Sequence, residues 1–223
     1  MKCDVKTGSR GEARRRAILD AAAELFAETG FEGTSLNDII ARSGGSRATL
    51  YEMFGGKEGL FKAMVEEGCR KVVVPLESKA IEGHRPEDVL CNFGLHIAEQ
   101  MMTVESRALT KILAADGHRL PEVVDFFFRQ GLDLVRNRLA DYLRQATETG
   151  HLAVTDPDTA ASLFLSMVEG EGMIRRVFGA PRQLSAEQIR RQVVMAAEIF
   201  LHGVKNRLPA PVSTGRSRAS EKI

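Results

Sequence analysis

Tryptophan is absent from the 223 residues, tyrosine occurs twice and cysteine three times. The cysteines (Cys3, Cys69 and Cys91) are odd in number and widely spaced. That argues against a disulfide framework and fits a reducing cytoplasm. No run of about 18 apolar residues exists, so no segment is expected to span a membrane. The first residues, Met1-Lys2-Cys3-Asp4, lead into polar and basic positions, and a secretory leader is not expected. A charge of one sign is also missing: the formal net charge is +1, which by itself says nothing about nucleic acid. Hydrophobic residues make up 43% of the chain, enough to close a core of ordinary size.

Signatures of catalysis are missing as well. There is no nucleophile elbow and no HExxH pair. Gly55-Gly56-Lys57 lacks the upstream glycine of a phosphate loop, and Glu58 follows the lysine. The histidines (His84, His96, His118, His151 and His202) are scattered, with no two at i, i+4. No enzyme activity, cofactor or metal is expected.

What the chain does have is helical period nearly everywhere, with no alternating strand pattern. The expected fold is all-α, with about nine helices. The first covers residues 10–28, with Ile18, Ala21, Ala22, Leu25 and Phe26 as its apolar stripe and Gly30 as its terminator. A short second helix starts at Thr34 or Ser35, where Ser35 and Asp38 have capping-box spacing, and Gly44-Gly45 ends it. A third starts at Ser46 and ends near Phe54, and a fourth starts at Lys57 and reaches about residue 74. Further helices are expected over residues 87–102, 106–115, 121–149, 157–178 and 186–207. This divides the chain into a small domain at 10–56, a connecting helix to 74, a larger helical domain at 75–207, and flexible tails at 1–9 and 208–223.

Two short helices joined by a tight glycine turn are the physical form of a helix-turn-helix. The second of them reads Ser46-Arg47-Ala48-Thr49-Leu50-Tyr51-Glu52-Met53-Phe54. Leu50 and Phe54 are four apart and face inward, so Arg47, Thr49 and Tyr51 can face outward with Ser46 and Ala48. A guanidinium, hydroxyls and a methyl are what base edges and phosphates accept in the major groove. Lys2, Lys6, Arg10, Arg14, Arg15 and Arg16 against Asp4 and Glu12 make the adjoining N-terminal arm basic. The same helix–glycine–helix pattern also builds plain three-helix packing units, so the pattern alone leaves both open.

Residues 18–61 resemble the N-terminal domain of the tetracycline-repressor (TetR) family of bacterial regulators. The pieces that carry the resemblance are Ile18-Leu19-Asp20-Ala21-Ala22, Leu25-Phe26, Gly30-Phe31, Thr34-Ser35, Ile39-Ile40-Ala41, Gly44-Gly45-Ser46, Thr49-Leu50-Tyr51, Phe54 and Lys57-Glu58-Gly59-Leu60-Phe61. The resemblance implies a regulator that binds a double-stranded DNA operator. It implies base reading by Ser46, Arg47, Ala48 and Thr49, and phosphate contacts from Thr34, Ser35, Tyr51 and Lys57. Arg10, Arg14 and Arg15 of the arm are expected at the backbone or minor groove. Ala48 stands where the family commonly has glycine, Met53 where it often has a phosphate-binding aromatic or histidine, and Gly56 where a serine or asparagine cap is usual. Glu52 adds a negative charge beside the recognition surface.

The span from His118 through Pro121 and Val124 to Gly150 and Asp156-Pro157 is similar to the AefR-type branch of that family. The branch implies a homodimer and a small effector. For the dimer interface the apolar faces of the last two long helices supply Ala161, Phe164, Leu165, Val168, Val193, Ala197 and Phe200. For an apolar pocket the candidates are Phe93, His96, Ile97, Met101, Phe127, Phe164 and Met167, with Phe126, Phe128 and Met173 nearby. Stripes like these also close ordinary cores, and three consecutive phenylalanines cannot all face one cavity. A repressor released by its effector is the first reading; an activator, or a helical adaptor without DNA binding, are the others.

Overall fold

The computed structural model describes residues 10–178 and 184–205. The expected flexible tails, at 1–9 and 208–223, lie outside the described residues. In chain order the helices are α1 (Arg10–Gly33), α2 (Leu36–Ser43), α3 (Arg47–Phe54), α4 (Lys57–Val73), α5 (Ser78–Ile81), α6 (Pro86–Gln100), α7 (Val104–Asp116), α8 (Pro121–Phe126), α9 (Asp133–Glu148), α10 (Pro157–Glu169), α11 (Gly172–Val177) and α12 (Ala186–Lys205). Nine of them have eight residues or more, and no strand occurs among the described residues.

Two apolar cores organise these helices. The first gathers Ile18, Ala22, Leu25 and Phe26 of α1, Ile39 of α2, Leu50 of α3 and Leu60, Phe61 and Met64 of α4. It does not close within the first four helices, because Ala108, Leu109 and Ile112 of α7 and Val123 of α8 belong to it. The second core is built from α6, α9, α10 and α12 around Phe93, Leu139, Leu143, Phe164 and Val193. α4 runs from the first core to the second, with Val65 buried in one and Val73 in the other.

Three elements depart from their sequence expectation. α1 continues to Gly33, breaking at Gly30, whose φ of 81° no β-carbon residue adopts cheaply. The helix expected over 121–149 is interrupted by a π-helical turn, Phe127–Leu132. There Gly131 lets the backbone approach α4: a Cβ on it would sit 3.3 Å from Val65 and 3.4 Å from the Cys69 sulfur. The π turn also separates the three phenylalanines, since Phe126 and Phe127 pack on the first core while Phe128 is exposed. The helix expected over 157–178 stops at Glu169 and resumes as α11, and a Cβ on the intervening Gly170 would meet the Gln192 amide of α12.

Candidate nucleic-acid interface

α2 and α3 are each fixed by their own first residues. Ser35 accepts a hydrogen bond from the Asp38 amide at 3.2 Å, and the Asp38 carboxylate accepts from the Ser35 amide at 3.0 Å. The two close a capping box, and the Ser35 hydroxyl and amide together hold the Asp38 carboxyl below its usual range. Ser46 caps α3 in the same manner, accepting from the Thr49 amide at 3.1 Å, with the two hydroxyls 2.9 Å apart. Ile39 and Leu50, both fully buried, anchor the pair in the first core. Gly44 and Gly45 make the turn between them with φ of 75° and 96°. Arg14 of α1 reaches under that turn and donates to the Ser43 carbonyl at 3.1 Å, where α2 leaves its last carbonyls without partners.

With Leu50 turned inward, α3 presents Arg47, Ala48, Tyr51, Glu52 and Met53 to solvent. The Arg47 guanidinium lies 5.6 Å from the centroid of the Tyr51 ring, one turn along the helix. Ser46, Arg47, Ala48, Thr49 and Tyr51 are thus gathered on one short helix. Arg10 is exposed at the start of α1. Lys57, at the start of α4, donates to the Phe31 carbonyl at 2.8 Å and lies 4.7 Å over the Phe31 ring. It fastens α4 to the segment that leads into Ser35.

Thr34 needs a correction. It is buried, and its hydroxyl donates to the Gly30 carbonyl and lies 2.8 Å from the Thr29 hydroxyl. The positive-φ break at Gly30 folds the chain back and turns this side chain inward. Its role is to hold the end of α1. Arg14 is likewise a brace of the glycine turn rather than part of a loose arm.

A cavity of about 260 Å³ lies between α4, α6, α7, α9, α10 and the π turn. Cys69 and Val72, Ile97 and Met101, Leu109, Phe127, Val135 and Leu165 form its apolar wall, and Ser106, Thr110, Arg136, Ser162, Ser166 and Glu169 supply polar groups. Arg136 is paired with Asp133 at 2.9 Å. Burial pushes the Cys69 thiol up to about 11, so it stays a neutral part of the wall.

Of the expected pocket residues, Ile97, Met101 and Phe127 line this cavity. The others are corrected. Phe93 and Phe164 are fully buried members of the second core, and Met167 packs against that core. His96 places its Nε2 2.8 Å from the Lys71 carbonyl, joining α6 to α4. The side chain of Met173 lies outside the described residues. Cys69, Val72, Thr110 and Val135 carry no short-range signal for this role, because the packing of α4, α7 and α9 around the π turn brings them together.

The expected dimer residues are corrected in the same way. Ala161, Phe164, Val168, Val193, Ala197 and Phe200 are buried inside one chain, where the Phe164 and Phe200 rings meet edge to face at 5.2 Å. Leu165 faces the cavity. Among the described residues, the large apolar side chains that α10 and α12 leave exposed are Leu163 (58%), Met195 (54%) and Ile199 (57%). Among the described residues no three side chains of metal-binding type come together, and no helix is long and apolar enough to cross a membrane.

Comparison with known proteins places both halves. Residues 18–64 match the family described as bacterial regulatory proteins, tetR family, and residues 88–203 match the AefR-like transcriptional repressor C-terminal domain. An uncharacterized HTH-type transcriptional regulator of Bacillus subtilis (strain 168), YfiR, is 26% identical over 171 residues, which cover 74% of this chain and 80% of that protein. The crystal structure of a TetR-family regulator from Mesorhizobium loti superposes with a TM-score of 0.77 at 25% identity, covering 89% of this chain and all of that one. The structure named flavonoid-responsive regulator FrrA is 30% identical with a TM-score of 0.66, covering 87% of this chain and 98% of that one.

Proposed function

From the premise that this chain belongs to the TetR family of transcriptional regulators, we propose that it is a cytoplasmic, dimeric repressor that grips a palindromic operator with α2 and α3 and releases it when a small effector enters the body. DNA-binding regulation, not catalysis, is the activity of the family. The observation that carries the rest is α3 itself: a short helix, pinned by Leu50 and capped by Ser46, whose outer face offers Arg47, Ala48 and Tyr51.

A dimer suits such a target. One exposed helix reads only part of a major-groove turn, and two copies about 34–36 Å apart read two half-sites on one side of the duplex. Leu163, Met195 and Ile199 give α10 and α12 an apolar surface for a second copy.

The effector we infer is small and mostly apolar, with one or two hydrogen-bonding groups that Ser106, Thr110 or Ser162 can meet in the cavity of about 260 Å³. The FrrA name points to a flat hydroxylated aromatic as one candidate to try. Two cavity walls reach the DNA-binding head. α4 carries Cys69 and Val72 and begins beside Phe31, and α7 carries Leu109 and Thr110 and lies along α1. An effector that fits better when these helices are shifted moves the population away from the operator-binding state, by no more than its difference in affinity for the two states.

The test is fluorescence anisotropy on DNA from upstream of its own gene, across a salt series, with wild type and Tyr51→Ala. Tight binding that weakens with salt, and weakens further in the variant, supports the reading. A folded dimer with no salt-dependent affinity for any duplex overturns it in favour of an adaptor. Binding that no cavity-sized ligand relieves overturns the effector step alone.

A further inference from the structure

Most of the polar side chains of the DNA-binding head are already engaged within it. The Ser35 hydroxyl donates to Asp38, and Ser46 and Thr49 share a hydrogen bond while Ser46 caps α3. Thr34 is buried, Arg14 holds the Ser43 carbonyl and Lys57 holds the Phe31 carbonyl. Arg42 pairs with Glu28 at 2.9 Å and approaches Glu24, and Arg15 and Arg16 both pair with Glu67. The Ser46 and Thr49 hydroxyls already share one hydrogen between them, while the Ser46 oxygen also caps the first turn of α3.

Arg47 stands apart from this set. It is exposed in the first turn of α3 and makes no hydrogen bond or ion pair among the described residues. Its one partner among the described residues is the Tyr51 ring, 5.6 Å from the guanidinium carbon. A contact of this kind restrains a long side chain without using its N–H donors. The restraint matters, because arginine otherwise loses much rotamer freedom when it docks on a base.

We propose that Arg47 sets the sequence specificity of the operator by reading a guanine in each half-site, with Tyr51 as the residue that positions it. The inference rests on the reading of α2 and α3 as the DNA-binding unit. Guanine is the base whose major-groove edge offers two acceptors, O6 and N7, at the spacing of two guanidinium N–H groups. Arg47 lies at the N-terminal end of α3, the end of a recognition helix that reaches base edges. A phosphate would also accept the guanidinium, but it would leave a preoriented fork with no sequence to read, and the two cases separate by experiment.

The experiment uses the full-length protein. Duplexes are selected from a randomised pool, and the guanines of the enriched half-site are replaced singly by 7-deazaguanine, which lacks the N7 acceptor, or by adenine. Affinities are measured for wild type, Arg47→Ala, Tyr51→Phe and Tyr51→Ala, with circular dichroism confirming that each is folded. Wild type is expected to lose roughly 5- to 150-fold at one guanine per half-site. Arg47→Ala should bind the natural and substituted duplexes alike. Tyr51→Phe keeps the ring and should keep the discrimination, whereas Tyr51→Ala should reduce it. Discrimination that survives in Arg47→Ala overturns the proposal. So does a uniform loss on every duplex with a shallower salt slope, which is the mark of a phosphate contact. If wild type enriches no sequence at all, the DNA-binding reading falls, and this inference falls with it.

Discussion

Lys111 of α7 donates to the carbonyl oxygens of Ala27 and Glu28 of α1, at 2.8 and 3.0 Å. These carbonyls lie in the last turn before the break at Gly30, where an α-helix leaves acceptors without partners and carries partial negative charge. Lys111 therefore closes the end of a DNA-head helix from the body of the protein. Leu109 and Thr110, beside it on α7, line the cavity. Lys111→Met keeps the apolar stem and removes the donors. It should cost about 1 kcal/mol, since the site is exposed and screened. Urea unfolding reads the loss, and hydrogen exchange should show faster opening at residues 30–33. An unchanged midpoint and unchanged exchange would make the contact incidental.

Glu67 of α4 is the meeting point of three cations. Its carboxylate accepts from Arg15 at 3.0 Å and Arg16 at 2.9 Å, both on α1, and lies 3.4 Å from Lys71. Partial burial raises the carboxyl, but the Arg15 hydrogen bond and the Lys71 and Arg16 charges together outweigh it, and the net shift is downward. A folded value below the unfolded one contributes stability that is complete above about 4.5 and is lost as pH falls through the lower folded value. Glu67→Gln should therefore be less stable than wild type at pH 7 by about 1 kcal/mol, a figure held down by the exposure of the arginines. The gap should close as the medium is acidified below pH 4. Denaturation midpoints at pH 7, 5 and 3.5 measure it, and a gap that stays constant would remove Glu67 as its cause.

Gly59 sits in the first turn of α4, where a Cβ would collide with the carbonyl oxygen of Phe54 at the end of α3. Backbone cannot retreat as a flexible side chain does. Gly59→Ala should thus displace α3 relative to α4 and cost about 1–3 kcal/mol or more. Because α3 is the recognition helix proposed above, specific DNA affinity should fall further than stability does. Thermal unfolding together with anisotropy tests this, and a variant as stable and as tight-binding as wild type would show that the turn can open.

The head was legible in the sequence because its determinants are local. Ser35 with Asp38, Ser46 with Thr49, and the glycine pairs at 44–45 and 55–56 each act within a few residues, and Ile39 and Leu50 follow directly from helical period. The inward direction of Thr34 is not legible in the same way, because it depends on the φ of Gly30 and on Thr29, not on its place before a helix. The body was legible as helices but not as surfaces. Period shows that α10 has an apolar stripe; it does not say whether Phe164 faces its own chain or a copy, and Leu163 beside it faces the other way. The π turn at Phe127–Leu132 has no local signature either, and it decides which phenylalanine lines the cavity.

That division between buried and exposed apolar residues makes the dimer testable without confusing assembly with folding. Phe164 is fully buried against Phe200, so Phe164→Ala should cost about 3–5 kcal/mol and unfold the body whether or not a partner exists. Leu163, Met195 and Ile199 contribute little to the core of one chain, and each is more than half exposed. Leu163→Glu with Ile199→Glu should leave the helical content of a single chain intact and place four carboxylates in the interface of a dimer. Analytical ultracentrifugation should then show a folded monomer where wild type shows a dimer. Operator affinity should fall at least tenfold, because the two half-sites are no longer bound as one unit. A double variant that remains dimeric with unchanged affinity would move the interface to another face, and a collapse of helical content would return these two side chains to the monomer core.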